Sequence, residues 1–405
     1  MISLDEARAL LLDGVAPLAA ENIALADAAG RILAAEIVAS FDQPALPTSA
    51  MDGYAVTGAD AIAGTTLRVI GDAFAGTPFA GRVERGTAVR IATGGVVPDG
   101  AERVCIQEIV TRDGDAAILT GPIHDEHFVR PAGGDFRCGN TLLAAGQALT
   151  PAALGLAAAA SHATLLVRTR PRVAIFASGD ELREAGEALA PGEVINSASH
   201  AVAALIENWG GTADRQPTLP DDPSAIRVAI EGRRDLADIL LFIGGASVGT
   251  RDYLRAVVAD LGGELRFAKI AVQPGKPCWH ARFADGRMLL GLPGNPASAF
   301  VCAHLLLEPL LAAMLGRETS LPLLPAILAA PMPEGGSRET WWRASAAIDA
   351  TGRLVVTPDP RRDSSLQRPL AEANALIRRP SGALASGAGE LVDITLIAAI
   401  RLRSA

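Results

Sequence analysis

Lysine is nearly missing from this chain: of 36 basic residues only two, Lys269 and Lys276, are lysines. A codon bias toward arginine accounts for the excess of guanidinium groups, but poorly for two survivors so close together. A compact, rotatable ammonium suits a small oxyanion or a phosphate in a tight pocket, where the flat guanidinium fork fits badly. Cysteine is also scarce. Cys105, Cys138, Cys278 and Cys302 are scattered without any C-x-x-C spacing, which fits reduced thiols and argues against a disulfide frame or a zinc site. The net charge of −9 argues against a general nucleic-acid surface, so no nucleic-acid partner is expected. No uninterrupted apolar run approaches the roughly 18 residues of a spanning helix, and the alanine-rich segment after Pro151 ends at Ser161 and His162. The start "MISLDEARALLLDG" carries acids where a signal peptide carries bases. The expectation is a cytoplasmic protein with no membrane partner.

What is present is a chain of 405 residues, too long for one ordinary core, with room for two to four domains. Residues 1 to about 40 read as helices, opened by "SLDEARALLL", in which Ser3 and Glu6 have capping-box spacing. From about 41 to 145, short β-like runs broken by Gly and Pro predict a small antiparallel module, and "LTPAALGLAAAASHA" returns to helix. From Arg172 the chain alternates strand and helix. Strand candidates are "RVAIFA", "TADRQPTL", "DILLFI" and "MLLGL"; helix candidates are "SASHAVAALIENWG", "DPSAIRVAIEGRRD", "DYLRAVVADLG" and "PASAFVCAHLLLEPLLAAML". Such alternation predicts a mainly parallel sheet covered on both faces. A small β domain begins near residue 320, with "TWWRASAAIDATGRLVVTP" and "ELVDITLIAAIRL" as strands.

Ligands of open parallel sheets bind outside the carboxyl ends of the strands. The motifs gather there. Asp180 and Glu181 follow the first strand and Asp221 and Asp222 the second; "GGASVGTRD" follows the third and "GLPGNPASAF" the last. Both glycine turns, with Gly244, Gly245, Ser247 and Gly249 in one and Pro293, Gly294, Asn295, Pro296 and Ser298 in the other, precede helices, whose free N–H groups receive anions. The first, "GGASVG", is neither a Walker loop nor a G-x-G-x-x-G fingerprint, and taken alone it reads as a tight strand-to-helix turn. Asp222 and Asp252 taken singly read as helix caps. Asp221 or Asp222 together with Asp252 would repel a phosphate unless a divalent cation lies between. Mg²⁺ takes one or two carboxylates plus substrate phosphate oxygens, so the set reads as phosphate plus metal, with Asp221 and Asp252 as ligands. "HDEH" at 124–127 lacks a third ligand and reads as a solvated turn, and "TWW" at 340–342 reads as core or interface.

The ordered set "PTSAMDGYAV", "AGTPF", "VRIATGGVVPDGAERVCIQE", "RPAGGDFRCGNTLL", "ASGDEL", "PGEVINS", "GGASVGTRDY", "QPGKP" and "GLPGNPASA" resembles the molybdopterin molybdenumtransferase family, to which the C-terminal domain of gephyrin is related. The resemblance runs essentially end to end. It implies an elongated helical and linking domain (1–45 with 140–170), an inserted β domain (46–139), an α/β domain similar to molybdopterin adenylyltransferases (171–318) and a C-terminal β-barrel-like domain (319–405). It implies a homodimer whose cleft receives Asp52, Thr93 and Asp135 from one subunit and Glu181, Asp221, Asp252, Lys269, Lys276, Pro293, Pro296 and Ser298 from the other. The implied reaction inserts molybdenum from molybdate into adenylylated molybdopterin and releases AMP, with Mg²⁺. A molybdopterin adenylyltransferase upstream and recipient molybdoenzymes downstream are the implied partners. Gln273 stands where some members carry lysine, which shifts part of the anion charge to Arg338 or Arg343; Ser178 stands for a familiar threonine, and "CWH" for an apolar continuation. Two alternatives are an adenylyltransferase-like enzyme, which would consume ATP, and a non-catalytic gephyrin-like scaffold, which would not turn over the adenylylated pterin.

Overall fold

The computed structural model describes residues 1–245 and 253–402 and divides into two compact units. One comprises residues 1–22, 30–34 and 166–405; the other, residues 23–29 and 35–165.

The first unit is built on a six-stranded sheet of β1 (Arg172–Ser178), β2 (Thr212–Arg215), β3 (Ile239–Gly244), β4 (Glu264–Phe267), β5 (Trp279–Arg282) and β6 (Met288–Leu292), in the order β2-β1-β3-β6-β5-β4. The four strands expected from the sequence pair in parallel. An antiparallel edge, β5 on β6 and β4 on β5, extends them. Side chains alternate in direction along a strand, and here both sets are buried. Val173, Ile175, Leu241 and Leu290 face α1 (Ala198–Asn208) and the helix Pro296–Met314. Ala174, Phe176, Phe242 and Leu289 face α2 (Pro223–Arg234) and α3 (Tyr253–Asp260). α2 begins where its sequence says it should: Asp222 caps the amide of Ala225 at 2.8 Å and Pro223 occupies the first turn, where its missing N–H costs nothing. The helix Pro296–Met314 is long and apolar enough to cross a membrane, contrary to the sequence expectation that no segment is. It is 83% buried within the unit, so it is the core helix of this domain.

The strand order steps from β1 out to β2 and then back across β1 to β3, so a crevice opens at the carboxyl ends of β1 and β3. Ser178 and Gly244 lie side by side there.

The C-terminal part closes into a five-stranded barrel. β7 (Leu324–Leu328), β8 (Glu339–Ile348), β9 (Leu354–Pro358), β10 (Ala375–Arg379) and β11 (Leu391–Leu396) pair in the ring β8-β9-β7-β11-β10-β8. Closure leaves no open edge and buries Ala326, Leu328, Ala344, Val356, Ile377 and Ile394 inside. Asn374, 1% exposed, pins the ring: its carboxamide accepts the Ala346 N–H at 2.6 Å and donates to the Ala346 and Ala399 carbonyls at 2.9 and 3.1 Å. Asn374→Ala strands those backbone groups, and urea unfolding is expected to show a loss of about 2–3 kcal/mol.

The second unit carries a six-stranded sheet in the order Arg103–Ile106, Gly53–Val56, Thr87–Ile91, Thr66–Ala73, Ala116–Leu119, Val110–Asp113. It is mixed, not purely antiparallel as expected, because Thr66–Ala73 and Thr87–Ile91 run in parallel. Gly53 has no substitute: a Cβ there would stand 2.1 Å from the Cys105 carbonyl oxygen. The helix Pro151–Ala159 forms as expected.

The reading of residues 1 to about 40 as helices is corrected. Only Leu4–Leu12 is α-helical, with the full Ser3–Glu6 capping box. Beyond it the chain forms the strand Ala20–Ala24, a short 3₁₀ turn and the strand Ile37–Val38. Alanine-rich composition favours helix only weakly, and extended pairing overrides it.

Candidate active site

A cavity of about 780 Å³ lies at the carboxyl edge of the first unit's sheet. Its walls hold Ser178, Glu181, Asp221, Gly244, Gly245, Lys269, Lys276 and the turn Pro293–Pro296. The structure thus brings both lysines, one of the two candidate metal ligands, the first two glycines of one turn and the turn Pro293–Pro296 to one space. Close backbone packing explains the glycines. A Cβ at Gly244, whose φ is +92°, would lie 2.7 Å from the Ser178 carbonyl oxygen, and one at Gly294 would lie 3.3 Å from the Gly244 α-carbon. Ser247, Gly249 and Asp252 lie outside the described residues.

The adjacent acids 221 and 222 divide their work. Asp222 is spent on the α2 cap. Asp221 turns into the cavity, where its Oδ1 accepts the Ser178 hydroxyl at 2.6 Å and its backbone N–H donates to Asp180 at 3.2 Å. Among the described residues only that one carboxylate oxygen is engaged. No group of three or more His, Cys, Asp or Glu side chains forms a closed metal cage among the described residues. One open carboxylate fits Mg²⁺ all the same, since this ion completes its shell with substrate oxygens and water.

Beside this cavity, and sharing Lys276 and Pro277 with it, lies a second of about 270 Å³. Ser298, expected on the same wall as the Pro293 turn, lines the smaller space, 4% exposed in the helix that follows. It caps nothing; Asn295 holds the N-cap position. The strand Val272–Gln273 pairs with Glu339–Thr340 of the barrel, so barrel arginines meet the lysine loop. Their charges are unequally committed. Arg343 donates to the carbonyls of Arg361, Asp363 and Leu366 at 2.6, 2.9 and 3.1 Å. Arg361 is paired with Asp359 and Glu372 at 2.7 and 2.6 Å. Arg362 stacks 4.1 Å over the Trp342 ring. Arg338 donates to Gln273 Oε1 at 3.2 Å and to the Val272 carbonyl at 3.4 Å, with no carboxylate partner among the described residues. Lys276 is exposed and has none among the described residues. Of the two arginines proposed to make up for Gln273, Arg338 therefore keeps the less committed charge.

Sequence reasoning missed Asn196, Ser197, Ser365 and Gln367 on the larger cavity. The last two come from a barrel loop, tied down where Gln367 donates to Ser197 Oγ at 2.5 Å, Asn295 to Ser364 Oγ at 2.8 Å, and the Ala297 N–H to the Ser364 carbonyl at 3.1 Å. No local pattern announces a loop that reaches back from another domain.

In the second unit Asp52 and Thr93 form one device. The Asp52 carboxylate accepts the Thr93 backbone N–H at 2.7 Å and its hydroxyl at 2.8 Å, and these bonds lower its pKa below the ordinary range. Asp135 is exposed, with its backbone N–H donated to the Gln43 carbonyl at 2.9 Å.

A doubly covered α/β sheet with a charged ligand cavity at its carboxyl edge, joined to a closed β-barrel, defines the class. Family models sharpen it. The MoeA N-terminal region (domain I and II) matches residues 2–161, a probable molybdopterin binding domain matches 174–313, and the MoeA C-terminal region (domain IV) matches 325–397. The chain is 33% identical over 402 residues to the molybdopterin molybdenumtransferase of Haemophilus influenzae, covering 97% of this chain and 98% of that one. It is 31% identical over 405 residues to the enzyme of the same name from Staphylococcus aureus strain Mu50, covering 98% and 95%. A crystal structure of the molybdopterin biosynthesis moeA protein from Pyrococcus horikoshii OT3 superposes with a TM-score of 0.82 at 28% identity, covering 98% of this chain and all of the other. The chain belongs to the molybdopterin molybdenumtransferase family.

Proposed function

We propose that the protein is a transferase that takes adenylylated molybdopterin and molybdate, inserts molybdenum at the pterin dithiolene and releases AMP. The observation that carries this reading is the pair of adjoining cavities. The larger has the size, glycine turns and open carboxylate for a phosphate-bearing pterin; the smaller is lined by Lys276, Ser298 and Arg338, donors suited to a small oxyanion. In this account the turns at Gly244–Gly245 and Pro293–Pro296 cradle the pterin phosphate and adenylate. Glu181 and Lys269 border that ligand. Lys276 stands on the shared wall, where one ammonium serves both guests.

Asp221 and Asp252 are the residues that would hold Mg²⁺, which supplies charge neutralisation at a phosphoanhydride. Ser178 orients Asp221, so the carboxylate is preset and not reorganised when the ligand arrives. We read the chain as a cytoplasmic homodimer in which Asp52, Thr93 and Asp135 of one copy complete the cleft of the other. A molybdopterin adenylyltransferase supplies its substrate and molybdoenzymes receive its product. Incubation with adenylylated molybdopterin, molybdate and Mg²⁺ is expected to release AMP with no consumption of ATP; absence of AMP would end the reading.

Lys276→Ala removes a charged donor from the oxyanion cavity. Charge-assisted bonds contribute about 1.5–3 kcal/mol, so the KM for molybdate is expected to rise roughly ten- to a hundredfold in steady-state AMP release, with the thermal midpoint unchanged.

A further inference from the structure

Glu184 lies outside both cavities, yet its carboxylate gathers donors from two other segments of the chain, 196–200 and 215–218. Oε2 accepts Arg215 Nη2 at 2.8 Å and lies 3.7 Å from His200 Nε2; Oε1 accepts Thr218 Oγ1 at 3.0 Å and Asn196 Nδ2 at 3.3 Å. The Arg215 bond is the leading cause of a lowered Glu184 pKa. Two of the donors, Asn196 and Thr218, lead to the larger cavity. Asn196 lines it directly and is 3% exposed, with its amide also bonded to Thr218 at 3.2 Å and its Oδ1 accepting the Ser199 N–H at 3.4 Å at the start of α1. Thr218 stands three residues before Asp221, on the stretch where Leu219 bridges to Ser178. Glu184 itself directly follows the segment Leu182–Arg183, which comes after Glu181 and pairs in parallel with Val194–Ile195.

Half-exposed carboxylates ordinarily face water. One that exchanges water for donors on two other chain segments fixes those segments relative to its own, and the ordering is then complete before a ligand binds. We infer that Glu184 is a positioning residue of the pterin cavity, holding the segments that carry Glu181, Asn196 and Asp221 in their binding arrangement. The inference rests on the functional reading given above and adds to it a residue that touches no substrate. The oxyanion cavity has no wall in this network, so the effect falls on one ligand alone.

The test is equilibrium binding of adenylylated molybdopterin and, separately, of molybdate to the full-length protein. Glu184→Ala is expected to weaken pterin binding about tenfold, as befits a coupled hydrogen-bond network, while molybdate affinity stays within about twofold of wild type. Glu184→Gln, which can still accept from Thr218 and Asn196, is expected to recover part of the loss. Thr218→Val removes one donor with little change of shape and is expected to act in the same direction, which keeps the test alive if the alanine variant fails to fold. Wild-type pterin affinity in Glu184→Ala, or parallel loss of both ligands with a lowered thermal midpoint, overturns the inference and leaves the function standing. Failure of the wild-type protein to bind the adenylylated pterin overturns both.

Discussion

Asp221→Asn is expected to cut the rate of AMP release about a thousandfold while leaving the fold and the cavity intact. An amide at this position keeps an acceptor for the Ser178 hydroxyl, now at 2.6 Å, so the local geometry survives. What disappears is a fixed negative charge facing the larger cavity. Preorganised charge in a site that excludes water is worth about 10²–10³ in rate per group, and a carboxylate shared with a cation lies at the upper end. Discontinuous assay of AMP, with circular dichroism to verify the fold, gives the answer. The neighbouring Asp222→Asn supplies an internal contrast. Asparagine caps a helix about as well as aspartate, so neither rate nor stability should move much; Asp222→Ala should cost about 1 kcal/mol through the lost Ala225 cap and spare the rate. Wild-type AMP release in folded Asp221→Asn would remove Asp221 from the site. Equal loss in Asp222→Ala would mean that helix placement, not charge, governs the rate.

The two acids look alike in "LPDDPSAI", and only the fold tells them apart. Sequence made the parallel strands legible because an apolar run followed by a glycine or acid turn and then an amphipathic segment has few other solutions. The antiparallel edge of Glu264–Phe267 and Trp279–Arg282 was not legible, since it lacks the β/α rhythm and "CWH" reads as an interruption. Barrel closure was expected only through the family resemblance, because the residue pattern itself does not encode it. β8 pairs with β10 and β7 with β11 across long stretches of sequence, and no local period encodes such a partner. At the site, the glycine turns, the acid pair at 221 and 222 and the two lysines stood out because they gather after the carboxyl ends of the strands and the chain has no other lysine. Arg343 and Arg338 did not separate: one spends its fork on three backbone carbonyls and the other keeps its charge beside Gln273, a distinction of packing alone. The amino-terminal error has the same origin. Alanine-rich helix propensity is a small bias, and strand pairing outweighs it.

Gly291→Ala is expected to be the most damaging single-methyl change in the α/β sheet. Phe176, Phe242, Gly291 and Trp279 occupy one row across β1, β3, β6 and β5, each opposite the next. Phe176 and Phe242 stack at 4.9 Å, and Phe242 lies 6.1 Å from the Trp279 ring because the indole folds over the bare α-carbon of Gly291. A Cβ at Gly291 would stand 1.8 Å from Trp279 Nε1, 2.1 Å from Cε2 and 2.3 Å from Cδ1. Trp279 is fully buried and cannot swing into solvent. Overpacking of close-packed cores costs typically 1–3 kcal/mol and occasionally more, and an overlap with a rigid ring belongs at the top, so a loss of about 3 kcal/mol is expected in urea unfolding. The damage should reach the site, because Pro293, two residues later, begins the turn that lines the larger cavity, and its two prolines have fixed φ. Pairing Gly291→Ala with Trp279→Leu should restore 1 kcal/mol or more relative to the sum of the single variants, since each change opens the space the other needs, a coupling on the order of contacts in double-mutant cycles. Strict additivity of the two changes would mean that the glycine is not there to seat the indole.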